Sequence, residues 1–292
     1  MIIVHSLKAI WVLMRDSVWE WVGDRASRKG AALAFYTVFS LAPILIVAIA
    51  IAGLFFGQDA ARGEIYAQVS DLLGPEGARA IEAMVMSANH PAAGLVATVI
   101  GMVTLFVGAT TALAELKDGL DQIWDVPPER TSGFWYFVRT RLLSIGLILS
   151  IGFLLLVSLV LSAVLTALAK RWGPADATGA VLESVNFLFS FALVTVLFAM
   201  IYKILPSARI AWRDVIIGSL VTALLFSVGK FAIGLYLGNS AIASSYGAAG
   251  SVVLVLVWVY YSAQIFLLGA EFTKVYAHRY GSRRGLPQPS HV

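Results

Sequence analysis

The sequence predicts an all-α integral membrane protein: six transmembrane helices with both termini in the cytoplasm, an N-terminal amphipathic interfacial helix, and short periplasmic helices between spans one and two. Three observations predict it. Of the 292 residues, 59% are hydrophobic and 13% charged, whereas soluble domains average about 45–50% and about 25%. A chain of this length cannot cover so much apolar side chain with so few charges unless lipid buries the surface. Six segments are long and apolar enough to cross about 30 Å of hydrocarbon: 31–56, 93–113, 142–169, 181–205, 215–237 and 251–270. The basic residues then fall on one side of those segments.

That third observation sets the orientation. The N-terminal stretch carries Lys8, Arg15, Arg25, Arg28 and Lys29, and the second connection Lys117, Arg130, Arg139 and Arg141. The fourth connection carries Lys203, Arg209 and Arg213, and the C-terminal stretch Lys274, Arg279, Arg283 and Arg284. These sixteen share one side, while only Arg62, Arg79, Lys170 and Arg171 fall on the other. Cytoplasmic loops are the ones enriched in Lys and Arg. Omitting one span would scramble the asymmetry, so it supports the count as well as the orientation.

The chain divides into a cytoplasmic amphipathic helix and basic entry (1–30), the membrane domain (31–280) and a disordered cytoplasmic tail (281–292). Over 2–22, Ile3, Leu7, Ile10, Trp11, Met14, Val18, Trp21 and Val22 recur at helical spacing, with Lys8, Arg15, Asp16 and Glu20 elsewhere. Such a helix either lies in the membrane interface or packs on the bundle. It does not read as a cleaved signal peptide, because the first strong apolar run begins near Ala31 and is too long.

Span one carries Tyr36 and Ser40 one turn apart and then Pro43, a kink or hinge position because it lacks a backbone donor. Gly53 and Gly57 form a GxxxG pair suited to close helix packing. In the connection 57–92, Ile65, Val69, Leu72 and Leu73 predict one short helix, and Ile81, Met84 and Val85 another. Gly74, Pro75 and Gly77 form the expected turn between them. Span two ends in Glu115 and Asp118. Span three, 142–169, is long enough that it tilts or projects from the bilayer. The uncharged stretch 238–250, rich in small residues, predicts a tight outer connection folded back toward the bundle. No internal repeat marks an inverted-repeat transporter.

Polar residues at bilayer depth are costly and often mark a pathway. Lys230 lies fifteen residues into span five, roughly 22 Å from the cytoplasmic end at 1.5 Å per residue. It is a candidate contact for an anionic group such as a lipid phosphate, or a cation that snorkels to the outer interface. On span six, Tyr260, Gln264 and Glu271 share a face. Tyr36, Glu115, Lys203 and Glu271 all belong near the cytoplasmic boundary. There they either line a polar vestibule or hold the bundle together by interhelical bonds. Glu271 and Lys230 belong at different depths and should not pair.

Several chemistries are excluded. The chain has no cysteine, hence no disulfide, Cys-ligated zinc or thiol nucleophile. His5, His90, His278 and His291 do not cluster, with His90 on the opposite side from the rest, so a metal-dependent ribonuclease is not expected. No Gly-x-Ser-x-Gly elbow or His-Glu-x-x-His helix is present, and no span holds a His for a Ser–His pair. Gly229-Lys230 is not part of a phosphate loop, since Leu224 and Phe231 stand where that motif requires Gly and Ser or Thr. No metal, cofactor or enzymatic activity is expected.

Four ordered blocks carry a resemblance to a known family: AALAFYTVFSLAPILIV at 31–47, LDQIWDVP at 120–127, LPSARIAWRDVIIGSLVTALLF at 205–226 and SSYGAAGSVVLVLVWVYYSAQIFLLGAEFTKVYA at 244–277. Together, over about residues 8–280, they resemble the YihY/BrkB (virulence factor BrkB) family of bacterial inner-membrane proteins, historically labelled ribonuclease BN. The matching positions include Tyr36, Pro43, Trp124, Pro206, Trp212, Tyr246, Gly247, Gly250, Gly269, Ala270 and Glu271; Asp121 stands where the family's block has Asn. The resemblance implies a six-helix inner-membrane protein of a family linked to envelope lipid or lipopolysaccharide transport and to serum resistance. Two functions are then expected as alternatives: a transporter or flippase for a lipid or other anionic amphipath, or a non-transporting envelope scaffold. In the first, substrate enters a groove among spans one, two, five and six. Lys230 contacts its head group there, Glu115 and Glu271 shape a cytoplasmic gate, and Gln264, Tyr260, Asp118, Tyr36 and Ser40 line the path. The expected partners are membrane lipids and not nucleic acid, with a homo-oligomer or an envelope protein as further partners.

Overall fold

A computed structural model describes residues 2–88, 111–127, 176–239 and 250–285. Every regular element among them is helical: α1 (Ile2–Gly23), α2 (Ala26–Phe56), α3 (Gln58–Ala88), α4 (Asp176–Ile204), α5 (Trp212–Asn239) and α6 (Gly250–Arg279), with a further helical segment over 111–123. Three stretches, Phe187–Ile204, Trp212–Tyr236 and Gly250–Arg279, are long and apolar enough to cross a membrane. They answer to the predicted spans four, five and six, and α2 covers span one. Most of span two and all of span three lie outside the described residues, as do Tyr246 and Gly247.

The helices are built inside out relative to a soluble protein. On α5 the exposed side chains of Ile216, Leu220, Leu224, Val228, Phe231 and Leu235 follow one another at one per turn along a single stripe. At the centre of its buried side Ser219, Thr222 and Ala223 are small or hydroxylic, with Val215 and Ile233 buried nearer its ends. Helix packing in lipid takes this form, because tails solvate Leu and Phe as well as a core does, and small residues let backbones approach.

The chain forms two units: 1–24, 120–225 and 268–292 in the first, and 25–119 and 226–267 in the second. In the first, α1 docks through Leu13 onto Phe272 and Val275 of α6, with Met14 and Tyr276 alongside. Trp11, Val18, Trp19 and Val22 point outward, with Arg15 exposed between them. The expected apolar face therefore divides between both readings of this helix, and packing uses the stripe containing Leu13 and Ser17.

In the second unit, α2 and α3 pack against each other around Val38, Ile49, Ile81, Val85, Val255 and Trp258. Two expectations are corrected here. Residues 58–88 form one helix, with Pro75 inside it, and not two short helices joined by a turn. Pro75 removes one donated bond and crowds the carbonyl one turn before it, and burial of Ala78, Ala80, Ile81 and Val85 on the C-terminal side offsets that cost. Gly57 is not half of a packing groove: at φ +84° it ends α2 and starts the reversal into α3, its N–H donating to the Gly53 carbonyl at 3.0 Å. A third correction concerns the tail. Residues 281–283 are bonded to the first unit and are not part of a disordered segment; 286–292 lie outside the described residues. α2 remains helical through Pro43.

Candidate functional site

In the first unit, α5 and α6 cross through a reciprocal pair of Gly-x-x-x-Thr steps. Thr222 donates to the carbonyl of Gly218 at 2.7 Å, and Thr273 donates to that of Gly269 at 2.7 Å. Each threonine then lies against the other helix's glycine. A Cβ on Gly269 would overlap Thr222 Oγ1, with Tyr202 hydroxyl 2.7 Å away, and one on Gly218 would overlap Thr273 Oγ1, with its Cβ at 2.8 Å. Tyr202, of α4, is 1% exposed and shares a 3.1 Å hydrogen bond with Thr222. Thr222 spends its hydrogen on Gly218, so Tyr202 is the donor. Bare backbone at these two glycines fixes the rotation of α6.

That rotation puts Glu271 inside the protein. Glu271 is 0% exposed, and neither carboxylate oxygen has a hydrogen-bond partner among the described residues. Its charged neighbours are Asp24, at the turn between α1 and α2, Lys274 one turn further along α6, and Glu20 of α1. Lys274, itself buried, is engaged elsewhere: Nζ lies 3.2 Å from Glu20 and 2.8 Å from Asp125. The Asp24 carboxyl stands close enough to Glu271 for a hydrogen bond. It too is buried, with Oδ2 lacking a partner. The cluster thus holds four carboxyl groups around one ammonium.

Other polar groups of this unit are satisfied and knit its connections together. Asp214, fully buried at the start of α5, accepts from Ser282 N–H at 3.1 Å and from Ser282 Oγ at 2.6 Å. Arg283 stacks 4.8 Å over the Trp124 ring and donates to the Arg209 carbonyl at 3.2 Å. Asp121 accepts from Ser207 N–H at 2.6 Å and from Ser207 Oγ at 3.0 Å. An Asn there keeps one carbonyl oxygen for the amide and can donate to the serine hydroxyl, so the two residue types serve the same turn. Buried Pro206 sits in that turn, and Trp212 takes Lys203 over its ring at 5.5 Å. Lys203 also donates to the Ile210 carbonyl and so braces the turn. Arg279 pairs with Asp16.

The remaining expected residues belong to the second unit. Ser40 is buried and donates to the Thr37 carbonyl of its own helix at 3.0 Å, which is a structural role. Gln264 Nε2 reaches the Ser27 carbonyl at 3.4 Å, while its Oε1 is buried without a partner among the described residues. Gly30 lets Gln264 in, since a Cβ there would lie 2.9 Å from Gln264 Cδ. Tyr36, Glu115 and Lys230 are half-buried, and Asp118 and Tyr260 are exposed. Gly229 packs close under Tyr261, whose hydroxyl lies 2.7 Å from where a Cβ would stand. On α3, burial raises the Tyr66 phenol above its ordinary range, aided by Glu82 and opposed by Arg62. Among the described residues, no group of His, Asp or Glu is arranged to hold a metal ion.

Sequence reasoning found Glu271 and missed its neighbours. Glu20, Asp24, Asp125 and Lys274 all sit at helix ends or connections, where charge is ordinary, so only their convergence distinguishes them. The Gly-x-x-x-Thr pairs were legible at the level of spacing, although the GxxxG at Gly53 drew attention instead.

Comparisons with known proteins agree with this architecture. The family described as Virulence factor BrkB matches residues 18–291. A UPF0761 membrane protein of Pseudomonas paraeruginosa is 31% identical over 92% of this chain and 64% of its own length. One from Pseudomonas aeruginosa is 30% identical over the same shares, and one from Alkalilimnicola ehrlichii 27% identical over 87% of this chain and 56% of its own. The chain therefore spans under two thirds of the length of these relatives. No solved structure matches. With its family profile covering nearly the whole chain and its apolar helices packed through small residues, the protein belongs to the Virulence factor BrkB family of membrane proteins.

Proposed function

We propose that this protein is a multi-pass bacterial inner-membrane transporter of flippase type, not an enzyme, carrying a lipid or other anionic amphipath of the envelope. In this reading it has six spans with both termini cytoplasmic, as the charge asymmetry supports. One observation carries the proposal. Glu271 is fully buried in an apolar helix, with neither oxygen bonded among the described residues, and burying such a group costs several kcal/mol when nothing compensates it. A helix whose only task is packing gains nothing from it. The scaffold alternative accounts for Asp121, Asp214, Ser40 and Lys203, whose bonds are all structural, but leaves Glu271 unexplained. Lys230 is the proposed head-group contact, and Glu271 with Glu115 the groups that govern the cytoplasmic end.

The test is lipid movement in proteoliposomes. A fluorescent anionic lipid is followed for wild type, Lys230→Ala, Glu271→Gln and empty vesicles. Exchange in wild type above the empty-vesicle rate, falling at least tenfold in Glu271→Gln, is the expected result. Folded protein with no exchange supports the scaffold, and unchanged rates in both variants remove the residue assignment.

A further inference from the structure

We propose that Asp24 and Glu271 together form a proton-binding site, holding one hydrogen between their two carboxyl groups. The inference stands apart from the transport reading, because it concerns what the pair binds and not what the protein moves.

Glu271 offers two acceptor oxygens and Asp24 a further one, Oδ2, all buried and unbonded among the described residues. A buried acceptor without a donor is rare and costly. Several donors of this unit are already committed. Lys274 points at Glu20 and Asp125. Thr222 is spent on Gly218 and Thr273 on Gly269, while Tyr202 donates to Thr222. Ser219 Oγ and Trp21 Nε1 are buried without a partner among the described residues, so neither donates to Glu271 or Asp24. The charged or titratable groups facing Glu271 are Asp24 from the α1–α2 turn, Glu20 from α1 and Lys274 from α6 itself. All but one of these are acids. Two carboxylates side by side cannot both stay ionised without a cation between them, and sharing one hydrogen satisfies both partners at once. The ligand class is therefore a proton.

The local backbone places this site deliberately. Asp24 N–H closes the last turn of α1 on the Glu20 carbonyl at 2.8 Å, and Arg25 then takes a left-handed conformation, φ 51°, to start α2. That turn holds Asp24 inward, buried to 4% exposure. Glu271 is held by the glycine-mediated crossing of α5 and α6, so both halves of the pair sit on constrained backbone.

The experiment is infrared spectroscopy on the purified protein in lipid nanodiscs, read in H2O and D2O at neutral pH. A protonated carboxyl shows a C=O band that shifts on deuteration and that ionised carboxylates lack. Wild type is expected to show this band. Glu271→Gln, which supplies an amide donor to Asp24 in place of the shared hydrogen, and Asp24→Asn, which supplies one to Glu271, should each remove it, with thermal unfolding confirming that each variant is folded. Two variants are used so that one may fail to fold without leaving the question open. If the band is absent from wild type, or persists at full intensity in a folded variant, the proposal is wrong. If sodium or magnesium ions added to wild type erase the band at millimolar levels, the pair is a cation site and the proposal is again overturned.

Discussion

The crossing of α5 and α6 yields the sharpest structural prediction. Gly269→Ala adds one methyl group where Thr222 Oγ1 already stands, with Thr222 Cγ2 at 2.8 Å and the Tyr202 hydroxyl at 2.7 Å. Ordinary contact for such atoms is about 3.5–4.0 Å, so the helices must part or the threonine must leave its rotamer and its 2.7 Å bond to Gly218. Overpacking of this kind costs about 1–3 kcal/mol, and loss of the Tyr202–Thr222 hydrogen bond adds about 1 kcal/mol. We expect Gly269→Ala to lose about 2–4 kcal/mol. Thr222→Ala in the same chain removes the clashing Oγ1 and Cγ2, so the double variant should recover at least half of that loss. A double-mutant cycle by chemical denaturation in detergent micelles reads the coupling directly. If Gly269→Ala unfolds within 0.5 kcal/mol of wild type, or Thr222→Ala brings no recovery, the two helices do not meet at these glycines.

Two further outcomes follow from the connections. Asp214→Ala removes the acceptor for both Ser282 bonds, and hydrogen bonds to a charged group contribute about 1.5–3 kcal/mol each. The variant should melt earlier than wild type and expose Arg283 and Arg284 to trypsin, with Ser282→Ala showing a smaller effect in the same direction; unchanged cleavage would show that the tail is not held there. Arg25 adopts φ 51° and ψ 38°, a conformation that costs an L-residue about 1–2 kcal/mol. Gly has no such penalty but gives up more chain entropy, so Arg25→Gly should raise stability by about 0.5 kcal/mol in the same denaturation assay, and a loss of stability would place the strain elsewhere.

Much of the architecture was legible from residue pattern because hydrocarbon imposes a simple requirement: long apolar runs with backbone bonds closed inside each helix. α2, α4, α5 and α6 follow those runs. The boundaries did not, since α6 continues from Gly250 to Arg279, past the point where apolarity stops at Ala270. Helix persists there because Phe272, Val275 and Ala277 still face a core, a fact set by α1 and invisible in α6 alone. The misread hairpin at Pro75 has the same origin. Gly and Pro mark turns by local preference, and tertiary burial around Ile81 and Val85 overrode it. At the candidate site, the carboxylate of Glu271 could be singled out by depth, but its partners could not. Convergence of α1, its turn and the 120–125 connection is a property of packing and leaves no trace in spacing.

The same reasoning changes which intramembrane charge carries most weight. Position within an apolar span favoured Lys230, and a lysine at bilayer depth is expensive. Expense, however, depends on what surrounds the charge. Lys230 is half-buried, and a flexible four-carbon stem lets its ammonium seek better solvation. Glu271 has a shorter stem, no exposure and no donor among the described residues. Stability alone would favour replacing it with Gln or Leu, since a well-packed apolar residue commonly equals or exceeds a buried charge. A neighbouring polar group shows how this protein satisfies a buried acid: Asp214 has Ser282. An acid left without such a partner, beside a second acid in the same condition, points to a group held in reserve for something that comes and goes.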